Sequence, residues 1–267
     1  MTAFNRILNR TMFLTAMSLC ATLAPPAASA EKLILVNDSS PYCPFTRCEN
    51  GKNGYVIDVA MAIYQAQGYS VEIMDVPWNR AIAMMNDGSA DGILGIVRAS
   101  APKMIYPKSE VAQYGISSFS LMSNSWRFDG IASLNHVRLG LVENYAYGEL
   151  DPDLKTYLAK KNENIQWVSG FSPLLKIFRM IDYGEIDATL EETHVGKYVL
   201  QNSEKISNYT ISDRINKSPL FGYIAFTHRH PNSQHLADVF DAGLAKLRKS
   251  GQLNTILAAY GLTDWQK

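Results

Sequence analysis

The side chains with most chemistry to offer fall in five short stretches. PYCPFTRCENG carries Tyr42, Phe45 and the cysteines Cys43 and Cys48. VPWNR supplies Trp78 and Arg80, and GILGIVRAS delivers Arg98. VENYAYG holds Asn144, Tyr145 and Tyr147, and ATLEETH holds Glu191, Glu192 and His194. A guanidinium grips a carboxylate through two parallel hydrogen bonds that lysine cannot reproduce, which makes Arg98 a candidate anion holder. Arg80, a cation at a helix start, needs an anionic partner too, a ligand or a neighbouring carboxylate. The adjacent glutamates offer the opposite charge. On an extended strand neighbours point to opposite faces, so only one of Glu191 and Glu192 is expected to face a shared space. Each candidate has an ordinary structural alternative. Trp78 shares a helical face with Ile82 and Met85 and can be core, Arg98 can pair with an acid nearby, and Tyr42 and Phe45 can cover a sheet edge.

Other chemistries are not written here. The sequence shows no nucleophile elbow, metal-ligand cluster or phosphate loop, so neither a metal nor a cofactor is expected. Glu191, Glu192 and His194 could act as acids and bases only if burial moved their pKa values. Cys43 and Cys48 are expected to form a disulfide if the chain is exported, since that compartment is oxidising. Its purpose would be to hold the loop that carries Tyr42 and Phe45.

The elements that must position these residues follow a repeat. Pro77, Arg80, Ile82, Met85, Gly88 and Asp91 return 96 residues later as Pro173, Lys176, Phe178, Ile181, Gly184 and Asp187, with no gap. Each copy reads as a short helix opened by proline and stopped by glycine, followed by an apolar strand. The first copy ends on Arg98 and the second on the glutamates, which suggests two lobes facing one ligand. Residues 32–37, 55–67 and 71–76 read as strand, helix and strand ahead of the first copy. Residues 137–142, 150–160 and 165–168 read the same way ahead of the second. Alternation of this kind indicates an open, mostly parallel α/β sheet flanked by helices in each lobe. In such sheets ligands bind beyond the carboxyl ends of the strands, where the candidate residues fall.

Residues 1–30 read as a signal peptide: Arg6 and Arg10, an apolar middle, then Ala28-Ser29-Ala30. Its removal leaves 23 basic against 25 acidic residues, near −2, without the basic surplus that nucleic-acid binding requires. The expected domains are residues 31–122 with 224–267 as lobe 1 and 123–223 as lobe 2, joined by two crossings that form a hinge. Such hinges close around ligands.

Residues 31–267 resemble the extracellular solute-binding proteins of family three, the type associated with polar amino-acid importers. The resemblance is carried by GYVIDVAMAIYQAQG, VPWNRAIAMMNDGSADGILGI, YGEIDATLEE and the tail FDAGLAKLRKSGQLNTILAAYGL. It implies a two-lobe periplasmic-binding-protein-like fold and a monomeric periplasmic protein that closes on a small polar or zwitterionic solute. It further implies delivery to the membrane subunits of an ABC-type importer. A soluble sensor serving a membrane receptor, or a dehydratase-like enzyme on the same fold, are the alternatives. In amino-acid binders of the family, a T-P-E-R-like segment supplies the arginine that holds the ligand's α-carboxylate. Here Pro102 stands at that position, so either Arg98 takes the task or the ligand lacks that group. The aspartate that binds the ligand's amino group aligns with Glu192, which makes Glu192 the glutamate expected to face the cleft.

Overall fold

The computed structural model describes residues 30–48, 51–149, 151–160, 163–216 and 218–266. The expected signal peptide therefore lies outside the described residues, Ala30 apart. The chain begins with β1 (Lys32–Asp38), α1 (Tyr55–Gln65), β2 (Ser70–Val76), α2 (Trp78–Asp87) and β3 (Gly92–Ile96). Two short strands follow, β4 (Ala112–Tyr114) and β5 (Ile116–Leu121). The plan then recurs as β6 (Leu139–Val142), α3 (Pro152–Ala159), β7 (Ile165–Val168), α4 (Pro173–Asp182) and β8 (Ala188–Glu192). The rest is α5 (Thr193–Asn202), β9 (Tyr209–Ile211), β10 (Leu220–Phe226), α6 (Ser233–Ser250) and α7 (Gln252–Ala258).

These strands form two five-stranded sheets, ordered β2-β1-β3-β10-β4 and β7-β6-β8-β5-β9. In each, three parallel strands carry an antiparallel strand beside the central β3 or β8. That fourth strand comes from one of the crossings between lobes. Helices cover both faces. In the first lobe α1, α6 and α7 pack on one side, and Ala81, Met84 and Met85 of α2 on the other. In the second, Ile177, Phe178 and Ile181 of α4 lie on one side and Leu154 and Tyr157 of α3 on the other. Gly196 of α5 packs against the tip of the Phe119 ring of β5, with no room there for a Cβ.

The 96-residue repeat is structural. Both repeat helices are followed by a left-handed glycine, Gly88 at φ 83° and Gly184 at φ 70°, which only a residue without a Cβ adopts freely. Both aspartates then stitch the sheet at the same point. Asp91 donates its amide to Ile34 O at 2.9 Å and accepts from Ile34 N at 2.7 Å. Asp187 repeats this against Arg138, with both distances 2.8 Å. One detail differs from expectation: Pro77 precedes α2, whereas Pro173 is the first residue of α4.

The lobe boundaries also differ. Residues 116–121 were expected in lobe 1, but β5 belongs to the second sheet, so the chain changes sheets at Gly115. The return falls between Ile211 and Leu220 rather than at residue 223. The reason is that Ile116 to Ser120 of β5 are all buried, and a strand covered on both faces shows no alternation to say which sheet it joins. The turning point is a single residue, Gly115, onto whose backbone the Arg214 guanidinium packs too closely to leave room for a Cβ.

Candidate functional site

Four strand ends converge where the lobes meet. β1 ends on Asn37 and Asp38 and enters a loop tied by the Cys43–Cys48 disulfide. Within it Tyr42 and Thr46 exchange backbone hydrogen bonds of 3.1 and 3.0 Å. The close approach of Gly54 to the backbone of Phe45 and Thr46, where a Cβ would meet atoms at 2.5 Å, presses the loop onto the start of α1. Tyr42 and Phe45 are thereby presented on a braced platform. Beyond β2, Trp78 opens α2; near the end of β3, the Gly95 carbonyl accepts from the Tyr114 hydroxyl at 2.9 Å. From the second lobe, the turn after β6 sets Asn144 at φ 65° and brings in Tyr145 and Tyr147. The Tyr147 hydroxyl accepts from Val142 N at 3.1 Å, which fixes that ring at the base of the turn.

Together these elements bound a cavity of about 110 Å³ with walls from both lobes. The lobes touch around it: the Tyr42 ring lies edge-on to Tyr145 at 6.2 Å, and Phe45 lies 6.5 Å from the His194 ring. Aromatic side chains dominate the walls, with Tyr42, Phe45, Trp78, Tyr114, Tyr145 and Tyr147 all contributing. The ionisable acids among its lining residues are Asp38 and Glu191, and no lysine, arginine or histidine lines it among the described residues.

Glu191 is 1 % exposed. Its Oε1 accepts from Glu192 N at 2.8 Å, while Oε2 finds no hydrogen-bond partner among the described residues. Burial first, and then the neighbouring Glu192 charge, push the Glu191 carboxyl up to about 8. Burial also raises Asp38, whose Oδ1 accepts from Ser40 N at 3.0 Å. The phenols of Tyr42, Tyr145 and Tyr147 are pushed well above their ordinary value by burial and then by the charge of Glu191, so all three lie within its electrostatic reach.

Seven of the ten residues proposed from sequence line this cavity: Tyr42, Phe45, Trp78, Asn144, Tyr145, Tyr147 and Glu191. Trp78 both lines the cavity and packs against the α2 core. Three residues go elsewhere. Glu192, favoured over Glu191 for the cleft, is fully buried as the N-cap of α5: its Oε2 accepts from His194 N at 2.6 Å and Val195 N at 2.9 Å. Arg98 is held within the first lobe. Its Nη2 donates to Pro107 O at 2.6 Å, and its guanidinium lies 4.2 Å from the ring centre of Tyr223 and 4.8 Å from that of Tyr106. The expected opposition of Arg98 to Glu192 is therefore not made. Arg80 is exposed on α2, outside the cavity walls.

Sequence reasoning missed Asp38 and Tyr114. Asp38 is the last residue of β1, where the strand-end rule points. Tyr114 comes from a crossing strand, and its sequence neighbourhood carries no such signal. Among the described residues no group of three or more histidines, cysteines, aspartates or glutamates is placed to hold a metal.

Comparison with known proteins agrees with this architecture. The chain is 24 % identical over 252 residues to the arginine-binding extracellular protein ArtP of Bacillus subtilis strain 168, covering 90 % of this chain and 91 % of that one. It is 23 % identical over 253 residues to a probable histidine-binding protein of Neisseria gonorrhoeae, covering 89 % and 86 %. Its fold superposes with a TM-score of 0.71 on the arginine-, lysine-, histidine-binding protein ArtJ of Geobacillus stearothermophilus, at 15 % identity and coverage of 88 % and 97 %. Residues 33–263 match the family model of bacterial extracellular solute-binding proteins, family 3, and the chain belongs to that family.

Proposed function

We propose that this chain is an exported solute-binding protein whose lobes close on one small solute and present it to an ABC-type importer. The observation that carries the reading is the shared cavity: Tyr42 from one lobe and Tyr145 from the other meet at 6.2 Å across a space that neither lobe could enclose alone. Two chain crossings, at Gly115 and between Ile211 and Leu220, give the lobes a hinge. Closure on a ligand makes binding and the shape seen by a membrane partner the same event. The site is complete within one chain, which suits a monomeric periplasmic carrier.

The reading is tested with the exported chain, freed of native solute by mild unfolding and refolding, in a thermal-shift screen of small solutes. A solute present at about 100 times its Kd raises stability by about 2.7 kcal/mol, a clear upward shift in Tm. Loss of that shift in Tyr145→Ala, in a variant that still melts cooperatively, supports the cavity as the site. A chain that answers to no small solute and does answer to a macromolecule contradicts the reading.

A further inference from the structure

We propose that the solute is a small organic cation, its positive group held against Glu191 within the tyrosine wall and with no cation, among the described residues, set opposite to hold a carboxylate. The inference rests on the solute-binding reading above and names its ligand class.

Three independent features of the cavity converge on it. The first is Glu191 Oε2, an acceptor on a side chain 1 % exposed, lining the cavity and without a hydrogen-bond partner among the described residues. Buried polar groups are ordinarily paired, and a buried carboxylate needs a counter-charge. The second is the wall itself. Tyr42, Tyr145 and Tyr147 lie within electrostatic reach of that carboxyl, and aromatic faces attract ammonium and guanidinium groups. Asp38, at the end of β1, adds a second acid on the first-lobe side.

The third is where the anion-binding groups went. Arg98 is stacked on Tyr106 and Tyr223 and bonded to Pro107 O. The backbone amides of His194 and Val195, which could have held an anion at the start of α5, already donate to Glu192 Oε2. A carboxylate-bearing solute would thus enter a cavity lined by the acids Asp38 and Glu191 and, among the described residues, by no lysine, arginine or histidine to pair with it.

The same carboxyl adds a signature. In the ligand-free protein Glu191 titrates at about 8, so near pH 7 it is mostly protonated. A cation that pairs with it displaces that proton to the buffer: Glu191 goes from carboxylic acid to carboxylate, and one proton leaves for each cation bound.

The test is isothermal titration calorimetry of the exported chain at pH 7 with arginine, lysine and histidine and with their decarboxylated partners agmatine, cadaverine and histamine. Glutamine and glutamate serve as uncharged and anionic side-chain comparisons. At least one amine is expected to bind no more than about threefold weaker than its parent amino acid. Glu191→Gln should weaken that amine at least tenfold while the variant retains its cooperative melt. Repeating the wild-type titration in two buffers of different ionisation enthalpy should show close to one proton released, a readout that stands even if the variant fails to fold. Amines at least tenfold weaker than their parents, equal binding to Glu191→Gln, or no proton release would each overturn the proposal. Binding of glutamine or glutamate with no amine bound overturns the ligand class and leaves the solute-binding reading standing. If none of these binds and the wider solute screen is also negative, both fall together.

Discussion

Glu191 and Glu192 part within one peptide unit. The Glu192 amide donates to Glu191 Oε1 at 2.8 Å, and the Glu192 carboxylate turns the other way to cap α5 through the amides of His194 and Val195. One acid is thereby left facing the cavity and the other is committed to the fold. This division separates what the two residues should do when changed.

Glu192→Ala should cost stability. It removes a side chain that satisfies two helix-start amides, a loss of about 0.5–2 kcal/mol by the range for N-caps, read as a lower midpoint in urea. Solute affinity should change less than it does in Glu191→Gln. An unaltered midpoint with abolished binding would return Glu192 to the cleft.

Arg98→Ala should leave affinity within about twofold of wild type, because the guanidinium is occupied by Pro107 O, Tyr106 and Tyr223 inside its own lobe. Its stability cost should be about 1 kcal/mol, the scale of an exposed cation–ring contact. Calorimetry and a urea melt on the one variant read both quantities. A tenfold loss of affinity without loss of stability would place Arg98 at the solute.

The pH dependence of stability carries its own sign. Glu191 is raised from 4.5 to about 8 in the fold, so between those values the native chain holds a proton that the unfolded chain has lost. Stability therefore falls as pH rises through this window, by an amount on the order of a few kcal/mol. The groups facing Glu191 are Tyr42 from the β1–α1 loop, Tyr145 and Tyr147 from the turn after β6, and Glu192 on its own strand. The three phenols are pushed upward and stay neutral through this range. Thermal melts of the ligand-free chain from pH 5 to 8 should show a falling Tm, flattened in Glu191→Gln. A Tm that rises over the same range in wild type and falls in the variant would reverse the assignment.

Thiol labelling of the exported chain should find Cys43 and Cys48 blocked until reductant is added, as expected of the disulfide between them. Replacing both with serine should cost roughly 2 kcal/mol on the chain-entropy view of so short a loop. Affinity should weaken as well, because the loop carries Tyr42 and Phe45 into the cavity wall. A variant with full affinity would show that the backbone pairing of Tyr42 with Thr46 holds the platform alone.

Much of this architecture was legible because it is written in punctuation. Gly88 and Gly184 end equivalent helices, and Asp91 and Asp187 make the same backbone stitch, so a gapless repeat of residue types became a repeat of structure. The aromatic side of the site was legible for a related reason: Tyr42, Trp78 and Tyr145 all follow strand ends. What failed was direction. Alternation says that Glu191 and Glu192 face opposite ways, but not which one faces the cavity, and the family comparison favoured the residue that caps α5. Arg98 failed because its partner Tyr223 lies far along the chain, on β10, and is brought beside it only by the antiparallel pairing of β10 with β3. Burial on both faces hid the sheet to which β5 belongs.

The most direct test of the account is a crystal structure of the exported chain with the amine that binds best in the calorimetric panel. The solute should lie in the cavity walled by Tyr42, Tyr145 and Tyr147, its positive group within hydrogen-bond distance, about 3 Å, of Glu191 Oε2, with Arg98 still stacked on Tyr223. A solute seated against Arg98, or bound outside the space between the lobes, would contradict it.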